Sequence, residues 1–379
     1  MHLFEEDVGQ PTNTTQVKLW DVEAGKATQT WRMGDEGVVS IPDQQVGVVW
    51  PSGRSDGLVI SVDLSGRLNY FAQGTPKPVR VVDGHQRNIT AVGIHGEASS
   101  NGSPATLFTG SYEGRVRAWD ISTGTASAID GESHSNQVSG LASGSSHVYS
   151  VGWDDTVRTI DASATTMTGT AQKTSGQPTG VAHLSSGTVL VATSSGIDIF
   201  SASSGSKLGS FSTKYSATCI AVPIDGSTIA VGCDDRHVRF YTLSSDKTSI
   251  QEASAHISSL TAPASTLAFS HDASKLAIGL ASGGISVFST SDNSLLTSRW
   301  SAHTSRITSI AWRPDGQFAA SGSLDTNVFV WSLASPGKRV KAAGAHKDGV
   351  GGVVWLGEDK IVSVGADAAV KTWAVKGLV

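Results

Sequence analysis

The sequence contains few cysteines and few charged residues. Only two of its 379 residues, Cys219 and Cys233, are cysteines, too few for a disulfide framework or a multi-thiolate zinc site. Charged residues make up 16% of the chain, against about 25% in an average soluble protein. The net charge is −5, and no basic tract is present. This balance argues against nucleic acid or an anionic membrane as the main partner.

The sequence also lacks the segments that direct a chain to or through a membrane. No apolar run approaches the roughly 20 residues that span a bilayer. The first seven residues, MHLFEED, are acidic and contain no apolar core, so they do not resemble a signal peptide. We therefore expect a cytoplasmic protein with reduced thiols and no membrane partner. No motif indicates a cofactor.

Helical periodicity is nearly absent. What recurs is a short run rich in Val, Ile, Thr and aromatic residues, then a turn of Gly, Asp or Ser, then another run. Residues 106–111 followed by 115–120, and 317–323 followed by 327–331, are examples. Many short strands joined by regular turns predict an all-β fold. The stretch 162–180, rich in Thr, Ser and Gly, is predicted instead to be a long inter-strand loop, with a phosphorylatable segment as the alternative.

A histidine that follows a small residue recurs along the chain. Its copies are separated by 49, 122, 47 and 43 residues, and 122 is about three periods. Trp-Asp occurs at residues 20–21 and 119–120. A repeat of roughly 40–45 residues with four strands is the signature of a WD-repeat β-propeller blade. The histidines are His85, His134, His256, His303 and His346.

Four repeats combine such a histidine with a hydroxyl residue, and most of them add a turn aspartate and a tryptophan at fixed offsets. We expect the aspartate to accept a hydrogen bond from the histidine, the histidine to contact the hydroxyl, and the hydroxyl to contact the Trp N–H. Such a chain satisfies every buried polar group. The predicted members are His85, Thr109 and Trp119; His134, Ser150 and Asp154; His303, Ser321, Asp325 and Trp331; and His346, Ser363, Asp367 and Trp373.

Serine, histidine and aspartate are also the residues of a hydrolytic triad. A triad needs one exposed nucleophile, whereas this set recurs in several repeats, so we interpret it as structural. The segment 233–237, CDDRH, offers metal-type ligands, but successive residues of a strand point to opposite faces. No metal site is predicted there. The cluster Lys338, Arg339 and Lys341 carries too few charges to indicate nucleic acid.

Strand patterns indicate eight repeat units after a partial one at 16–32. The last unit ends just after its third strand, so its fourth strand has to come from elsewhere if no sheet edge is to remain open. Residues 77–82 would close a ring of seven blades, residues 27–32 a ring of eight, and sequence outside this chain is the third alternative. The strand patterns predict an unmatched segment at 1–15, a partial blade and one full blade unit at 16–84, and a seven-bladed propeller at 85–379, with eight blades as the alternative. The units begin near Gln44, His85, His134, Gly176, Tyr215, His256, His303 and His346.

Several motifs are more specific than a generic repeat. They include DQQVGVVW at 43–50, TGSYEG at 109–114, HSNQV at 134–138, DDTVR at 154–158, AWRPD at 311–315 and VFVWSL at 328–333. Over about residues 16–376 the chain resembles the actin-interacting protein 1 family. That resemblance implies two seven-bladed propellers in tandem, of which this chain corresponds to the end of the first and all of the second.

The resemblance also implies a function. Members of that family bind actin filaments together with cofilin and promote disassembly of the filaments. It implies a non-enzymatic, monomeric protein of the cytoplasm and of the cortical actin cytoskeleton. Two alternatives remain open. One is a WD-repeat scaffold in another cytosolic complex, and the other is a propeller enzyme with ligands in its central channel.

Propellers bind partners through loops on their flat faces, because the strands are committed to packing. The residue just before the turn acid is aromatic in two neighbouring units, at Tyr112 and Trp153, and aromatic side chains dominate interface hot spots. Arg306 and Lys347 lie in the loops that follow the histidines of the last two units. We predict that these four residues lie on a partner-binding face.

Overall fold

A computed structural model of the chain describes residues 15–34, 40–51, 57–96, 105–258 and 260–377. The described residues form strands, turns and one short 3-10 turn at Ile41–Asp43. Within these ranges no helix has the length and apolarity that a membrane crossing requires. The all-β prediction is therefore confirmed. The predicted unmatched segment, 1–15, lies almost entirely outside the described residues.

The chain divides into two compact units, residues 1–86 and residues 87–379. The described part of the first unit holds a two-stranded sheet and a four-stranded antiparallel sheet. Trp31 of the former is fully buried and stacks on Phe71 of the latter, with ring centroids 5.2 Å apart. The strands are β1 Gln16–Asp21 and β2 Lys26–Arg32, then β3 Gln45–Val49, β4 Val59–Asp63, β5 Leu68–Phe71 and β6 Arg80–Val82.

The described part of the second unit holds seven antiparallel sheets, whose strands follow one another in chain order from the inner to the outer position. They are β7 Ile89–His95, β8 Thr106–Ser111, β9 Val116–Asp120 and β10 Thr125–Ala128; β11 Val138–Ser143, β12 His147–Gly152, β13 Thr156–Asp161 and β14 Thr166–Lys173; β15 Pro178–Leu184, β16 Thr188–Thr193, β17 Gly196–Ser201 and β18 Lys207–Ser212; β19 Ala217–Ala221, β20 Ile229–Cys233, β21 Val238–Leu243 and β22 Ile250–Ile257; β23 Ala264–Phe269, β24 Lys275–Leu280, β25 Ile285–Ser289 and β26 Leu295–Trp300; β27 Ile307–Trp312, β28 Phe318–Ser323, β29 Val328–Ser332 and β30 Arg339–Ala342; and β31 Val350–Leu356, β32 Lys360–Gly365 and β33 Val370–Ala374.

The seven sheets close into a ring. Each inner strand packs beside the inner strand of the next sheet, and β31 packs against β7 in the same way. The apolar core lies between neighbouring sheets: Tyr149 and Val157 of the second sheet, for example, share one cluster with Val191 and Phe200 of the third. The unit is a seven-bladed β-propeller, and we number its blades 1 to 7 in chain order.

A hydroxyl residue near the start of each inner strand joins one blade to the next. In blades 1 to 6 this side chain donates a hydrogen bond of 2.6–3.0 Å to a carbonyl at the start of the next inner strand. Blade 7 has Gly351 at this position, and a Cβ there would overlap the carbonyl oxygen of Ile89 in blade 1. The six donors are Thr90, Ser139, Thr179, Thr218, Ser265 and Thr308.

The structure corrects two predictions about how the ring closes. Residues 77–82 contain β6, which pairs with β5 in the first unit, and residues 27–32 lie in β2, which pairs with β1. Neither segment pairs with β33, the outermost described strand of blade 7. Both segments already have local partners in antiparallel register, which costs less loop entropy than a distant one.

A third correction concerns 162–180, which was predicted to be a long loop. It contains β14 and the start of β15, and β14 pairs with β13 across a register shift. The outer strand β14 contains no buried residue, so its sequence carries no alternation of apolar and polar residues that would reveal a strand.

The hydroxyl ring predicts which substitutions loosen the propeller. We expect Thr308→Val to lower the free energy of unfolding by about 1–3 kcal/mol, because the carbonyl of Val350 loses its donor. Gly351→Ser should destabilise more, because its Cβ displaces the backbone of Ile89. Urea denaturation followed by tryptophan fluorescence measures both effects. Thr372→Val, at an exposed position of β33, is the matched control, and an equal loss in the control would contradict this role.

Candidate functional site

The predicted hydrogen-bonded quartet is complete in blade 6. His303 donates from Nδ1 to Asp325 over 2.9 Å, and its Nε2 accepts from the hydroxyl of Ser321 at 2.8 Å. Trp331 donates from Nε1 to the same hydroxyl oxygen at 2.8 Å. Ser321 is fully buried. The arrangement connects the loop before the blade to its second strand, its turn and its third strand.

Blade 7 repeats this geometry. His346 contacts Asp367 and Ser363 at 2.7 Å each, and Trp373 donates to Ser363 at 2.7 Å. Blade 2 has the same chain from His134 to Asp154 and to Ser150, both at 2.9 Å. Its Trp position holds Ile160, which is fully buried and ends the hydrogen-bonded chain.

In blade 1 the structure brings Trp119 and Thr109 together, with the indole N–H 2.7 Å from the hydroxyl oxygen. His85, the predicted third member, is buried and belongs to the first unit. The serines of the other quartets, Ser150, Ser321 and Ser363, have no exposed surface. A buried hydroxyl that is bonded on both sides is a structural joint and does not face a substrate.

Burial determines the charge of the quartets. It lowers the pKa of His134, His303 and His346, so their rings are neutral at pH 7. Burial by itself raises the pKa of Asp367, but hydrogen bonds from His346 and Lys371 outweigh it and lower that pKa to about 2. Burial by itself also raises the pKa of Asp325, but hydrogen bonds from the backbone N–H groups of Thr304 and Asn327 outweigh it and lower that pKa.

Blade 3 uses an ion pair that the sequence did not reveal. Asp198 of β17 is fully buried, accepts hydrogen bonds from the backbone N–H and the hydroxyl of Ser175, and lies 2.8 Å from the ammonium of Lys207. Like His303 in blade 6, it ties the loop before the blade to the blade itself. The signal in the sequence was only an acid in an apolar strand, GIDIF at 196–200.

The turn between the second and third strands of each blade lies at one end of the ring. The residue that begins it donates its backbone N–H to a carbonyl in the loop before the same blade, at 2.8–3.1 Å in all seven blades. This repeated hydrogen bond places seven residues at equivalent positions around one end of the ring. In chain order they are Tyr112, Trp153, Ser194, Asp234, Ala281, Leu324 and Ala366.

We call this end of the ring the turn face, defined by these seven residues and the loops that precede the inner strands. Tyr112 is 48% exposed and Trp153 43% exposed. Trp153 and Arg306 both line a cavity of about 570 Å³ at the channel mouth. Tyr112 and Lys347 do not line it, although Lys347 is exposed and its backbone N–H approaches Asp367.

Leu324 is a further exposed residue of the turn face that the sequence analysis did not identify. It is 49% exposed, lines the same cavity, and its backbone N–H donates to the carbonyl of Arg306. It occupies in blade 6 the position that Tyr112 and Trp153 occupy in blades 1 and 2. Leu324 directly precedes the turn aspartate Asp325, just as Tyr112 and Trp153 directly precede the turn acids of their blades, so this offset in the sequence would have identified it. Ala281, Leu324, Ala366, Tyr112 and Trp153 occupy this position in five successive blades, 5, 6, 7, 1 and 2, and give them an apolar or aromatic rim.

Metal-type residues do not converge in the part of the chain that the structure describes. No group of three or more His, Cys, Asp or Glu side chains lies close enough to hold an ion there. Cys219 and Cys233 are buried free thiols, and burial raises the pKa of Cys219 to about 11 and that of Cys233 to about 12. Neither is a reactive thiolate at neutral pH.

Comparison with known proteins identifies the repeat. The family profile "WD domain, G-beta repeat" matches residues 76–120, 205–242 and 293–332. In the last two matches it starts near the outer strand of one blade and covers the inner three strands of the next, so the sequence repeat is offset from the sheet by one strand. The crystal structure of the computationally designed Ika8 protein superposes with a TM-score of 0.57 at 20% identity, covering 87% of this chain and 96% of that one, which concerns the fold alone.

Curated relatives match nearly the whole chain. Actin-interacting protein 1 of Drosophila melanogaster is 32% identical over 95% of this chain and 57% of its own length. WD repeat-containing protein 1 of Gallus gallus is 32% identical over 94% of this chain and 57% of its own length. Actin-interacting protein 1 of Caenorhabditis elegans is 30% identical over 94% of this chain and 56% of its own length. The chain therefore spans little more than half the length of these relatives.

The neutral histidines predict that acid destabilises the propeller. The pKa of each quartet histidine is lower in the folded chain than the value near 6.5 of an unfolded one, so the unfolded chain binds more protons below about pH 6.5. The free energy of unfolding should therefore fall as the pH drops from 7.5 to 5. The lowered pKa values of Asp154, Asp325 and Asp367 add a further loss below about pH 4.

Urea denaturation across this pH range tests the effect. His303→Gln should lower stability at pH 7 by about 1–3 kcal/mol and flatten the slope between pH 7.5 and 5. His271→Gln, at an exposed histidine, should change neither. A slope that His303→Gln leaves unchanged would assign the pH dependence to other groups.

Proposed function

The chain belongs to the actin-interacting protein 1 family of WD-repeat proteins, and on that basis we propose that it binds actin filaments together with cofilin and promotes filament disassembly. The observation that carries the proposal is the 32% identity over 95% of this chain to a relative named for its interaction with actin. Because the chain spans 57% of that relative, the activity is proposed for the part present here. The site of action would be the cytoplasm and its cortical actin.

The proposed mechanism is binding without catalysis. A protein that favours disassembly has to bind the cofilin-altered filament more tightly than the bare filament, since a ligand shifts an equilibrium only by its differential affinity. The buried serines of the quartets support a scaffold role rather than hydrolysis. A monomer with one binding face suffices for this mechanism.

The turn face is the proposed contact surface. Tyr112, Trp153 and Leu324 are all exposed by more than 40%, and aromatic side chains are enriched among the residues that supply most of the energy of an interface. Arg306 lies among them at the cavity, and Lys347 is exposed at the edge of the same face. Both cations suit an acidic partner surface.

We also propose that residues 16–84 are the end of an upstream propeller. The innermost strand of each of the seven blades contains no exposed residue. In the first strand of the four-stranded sheet of the first unit, β3, Val46 is 57% exposed and Val49 is 54% exposed. An inner strand with exposed valines is what a blade without its neighbours presents. Val46→Ser with Val49→Ser should then reduce binding of the dye ANS without lowering stability. A large loss of stability would contradict the proposal.

Co-sedimentation with actin filaments tests the function. We expect the fraction of the full chain that pellets to increase when cofilin decorates the filaments. Trp153→Ala combined with Tyr112→Ala should weaken that binding by roughly tenfold or more, as loss of an aromatic anchor does. Leu295→Ala, which truncates a side chain 54% exposed on β26 and away from the turn face, is the matched control.

Two outcomes would contradict this assignment. A folded chain, verified by circular dichroism, that pellets neither with nor without cofilin would show that this part of the protein has no filament-binding face. It would favour a scaffold role in another complex. If the aromatic double variant and the Leu295→Ala control pellet with the filaments to the same extent, the contact lies elsewhere on the propeller.

A further inference from the structure

Blade 6 ends in the most basic outer strand of the described ring. In β30, Arg339 and Lys341 are exposed, and Lys338 precedes them. Arg299 of the neighbouring outer strand β26 completes the cluster, since a Cβ built on Gly337 would lie 3.3 Å from its guanidinium. We call these four residues, Arg299, Lys338, Arg339 and Lys341, the basic edge.

The register of the sheet fixes how these cations are arranged. Arg339 pairs with Trp331 and Lys341 pairs with Phe329 across β29 and β30, so both side chains lie on the same face of the sheet. Both charged groups also lie over the ring of Phe329, at 5.8 and 5.7 Å from its centroid. Two positive charges are thus held two residues apart along an open strand.

The basic edge has no internal counter-charge among the residues that the structure describes. Among the residues that the structure describes, none of its four cations forms an ion pair with a carboxylate, whereas Lys207 of the outer strand β18 is paired with buried Asp198. The whole chain carries a net charge of −5. Four unpaired cations in one place are therefore a local reversal of its charge.

A cavity lies directly beside the basic edge. It measures about 680 Å³, and its lining includes Phe318, Phe329 and Val330 as well as three of the four cations. Val340, between the two charged residues of β30, is 36% exposed and also lines it. The edge therefore combines open backbone groups, fixed cations and an apolar floor.

We propose that the basic edge is a docking site for an acidic polypeptide segment in extended conformation, which adds to blade 6 as a fifth strand beside β30. Residues that face each other across paired strands lie on the same face of the sheet. The segment would therefore carry acidic residues two apart, opposite Arg339 and Lys341, with an apolar residue between them opposite Val340. Main-chain hydrogen bonds would provide affinity and the alternate side chains specificity.

Basic residues on edge strands also have a simpler use, because they discourage edge-to-edge pairing with other chains. The other outer strands show how far that use extends here. Strands β14, β18 and β26 carry one Lys or Arg each, and β10 and β22 carry none. Among the described outer strands only β30 carries two in alternation. Beside it lie the cavity lined in part by Phe318, Phe329 and Val330, and the further cation Lys338. Four cations are few for nucleic acid, whose affinity comes from many phosphate contacts.

Titration of the purified full chain with a capped, fluorescently labelled EVEVE peptide tests the proposal, and fluorescence anisotropy gives the affinity. A QVQVQ peptide of the same length is the neutral control. We expect the acidic peptide to bind at least about tenfold more tightly, with an affinity that falls as salt is raised. N-methylation of alternate backbone amides in EVEVE, on the edge that pairs with β30, should abolish binding.

Charge reversal on the protein locates the site. Arg339→Glu with Lys341→Glu should weaken binding of the EVEVE peptide at least about tenfold. Lys173→Glu, at an exposed lysine of the outer strand β14, should leave it unchanged. Thermal unfolding of each variant verifies the fold, and the milder pair Arg339→Gln with Lys341→Gln replaces the reversal if that variant is unstable.

The proposal is overturned if the two peptides bind equally, if neither binds, or if the reversal and the Lys173 control behave alike. Binding that survives N-methylation would exclude strand addition. If anionic lipid vesicles or an oligonucleotide displace the labelled peptide more effectively than unlabelled EVEVE does, the partner of the basic edge is a membrane or a nucleic acid and the proposal is wrong. The assay contains no actin, so its outcome is separate from that of the co-sedimentation experiment.

Discussion

Six hydroxyl side chains around the central channel hold the propeller together. Each, from Thr90 to Thr308, reaches from one inner strand to a carbonyl at the start of the next. The neighbouring blade thus supplies the donor for that carbonyl, and leaving it unpaired in the interior would cost about 1–3 kcal/mol. At the seventh junction Gly351 lets the backbones of blades 7 and 1 approach directly. The apolar clusters between neighbouring sheets and the backbone hydrogen bonds of the turn face are built outward from these inner strands.

The joints farther from the channel vary more than the ring does. Blades 6 and 7 use a full quartet, blade 2 a quartet shortened by Ile160, and blade 3 the buried pair of Asp198 and Lys207. What these joints share is that one polar side chain connects the loop before a blade to its strands. Different chemistry is acceptable because the requirement is only that every buried polar group be satisfied. The residues left free for binding are therefore those that the joints present to solvent, and the proposed contact surfaces at the turn face and along the outer strand of blade 6 consist of such residues.

Several features were predictable from the sequence because they depend on local patterns. The strand–turn–strand runs, the offset of ten residues from Ser321 to Trp331, and the starts of the repeat units all reflect interactions within one blade. The position of the predicted face residues was predictable in part: Tyr112 and Trp153 are exposed at one end of the ring, and Trp153 shares a cavity with Arg306. That this face binds a partner stays a prediction. Strand β14 was not recognised, because an outer strand buries little and its composition resembles that of a loop. Asp198 was not recognised either, since its partners lie 9 and 23 residues away.

The sequence by itself determined the fold class and the blade pattern, since period-two alternation and turn residues act over a few residues. Only the tertiary structure decided which strands pair beyond the blade, that segments 27–32 and 77–82 stay with the first unit, and that seven sheets form the ring. The same holds for the meeting of Trp153, Arg306 and Leu324 at one cavity and for the alignment of the basic edge with its apolar floor. These features bring together residues from different blades, and their distances depend on the radius and closure of the ring. No local pattern in the chain encodes that geometry.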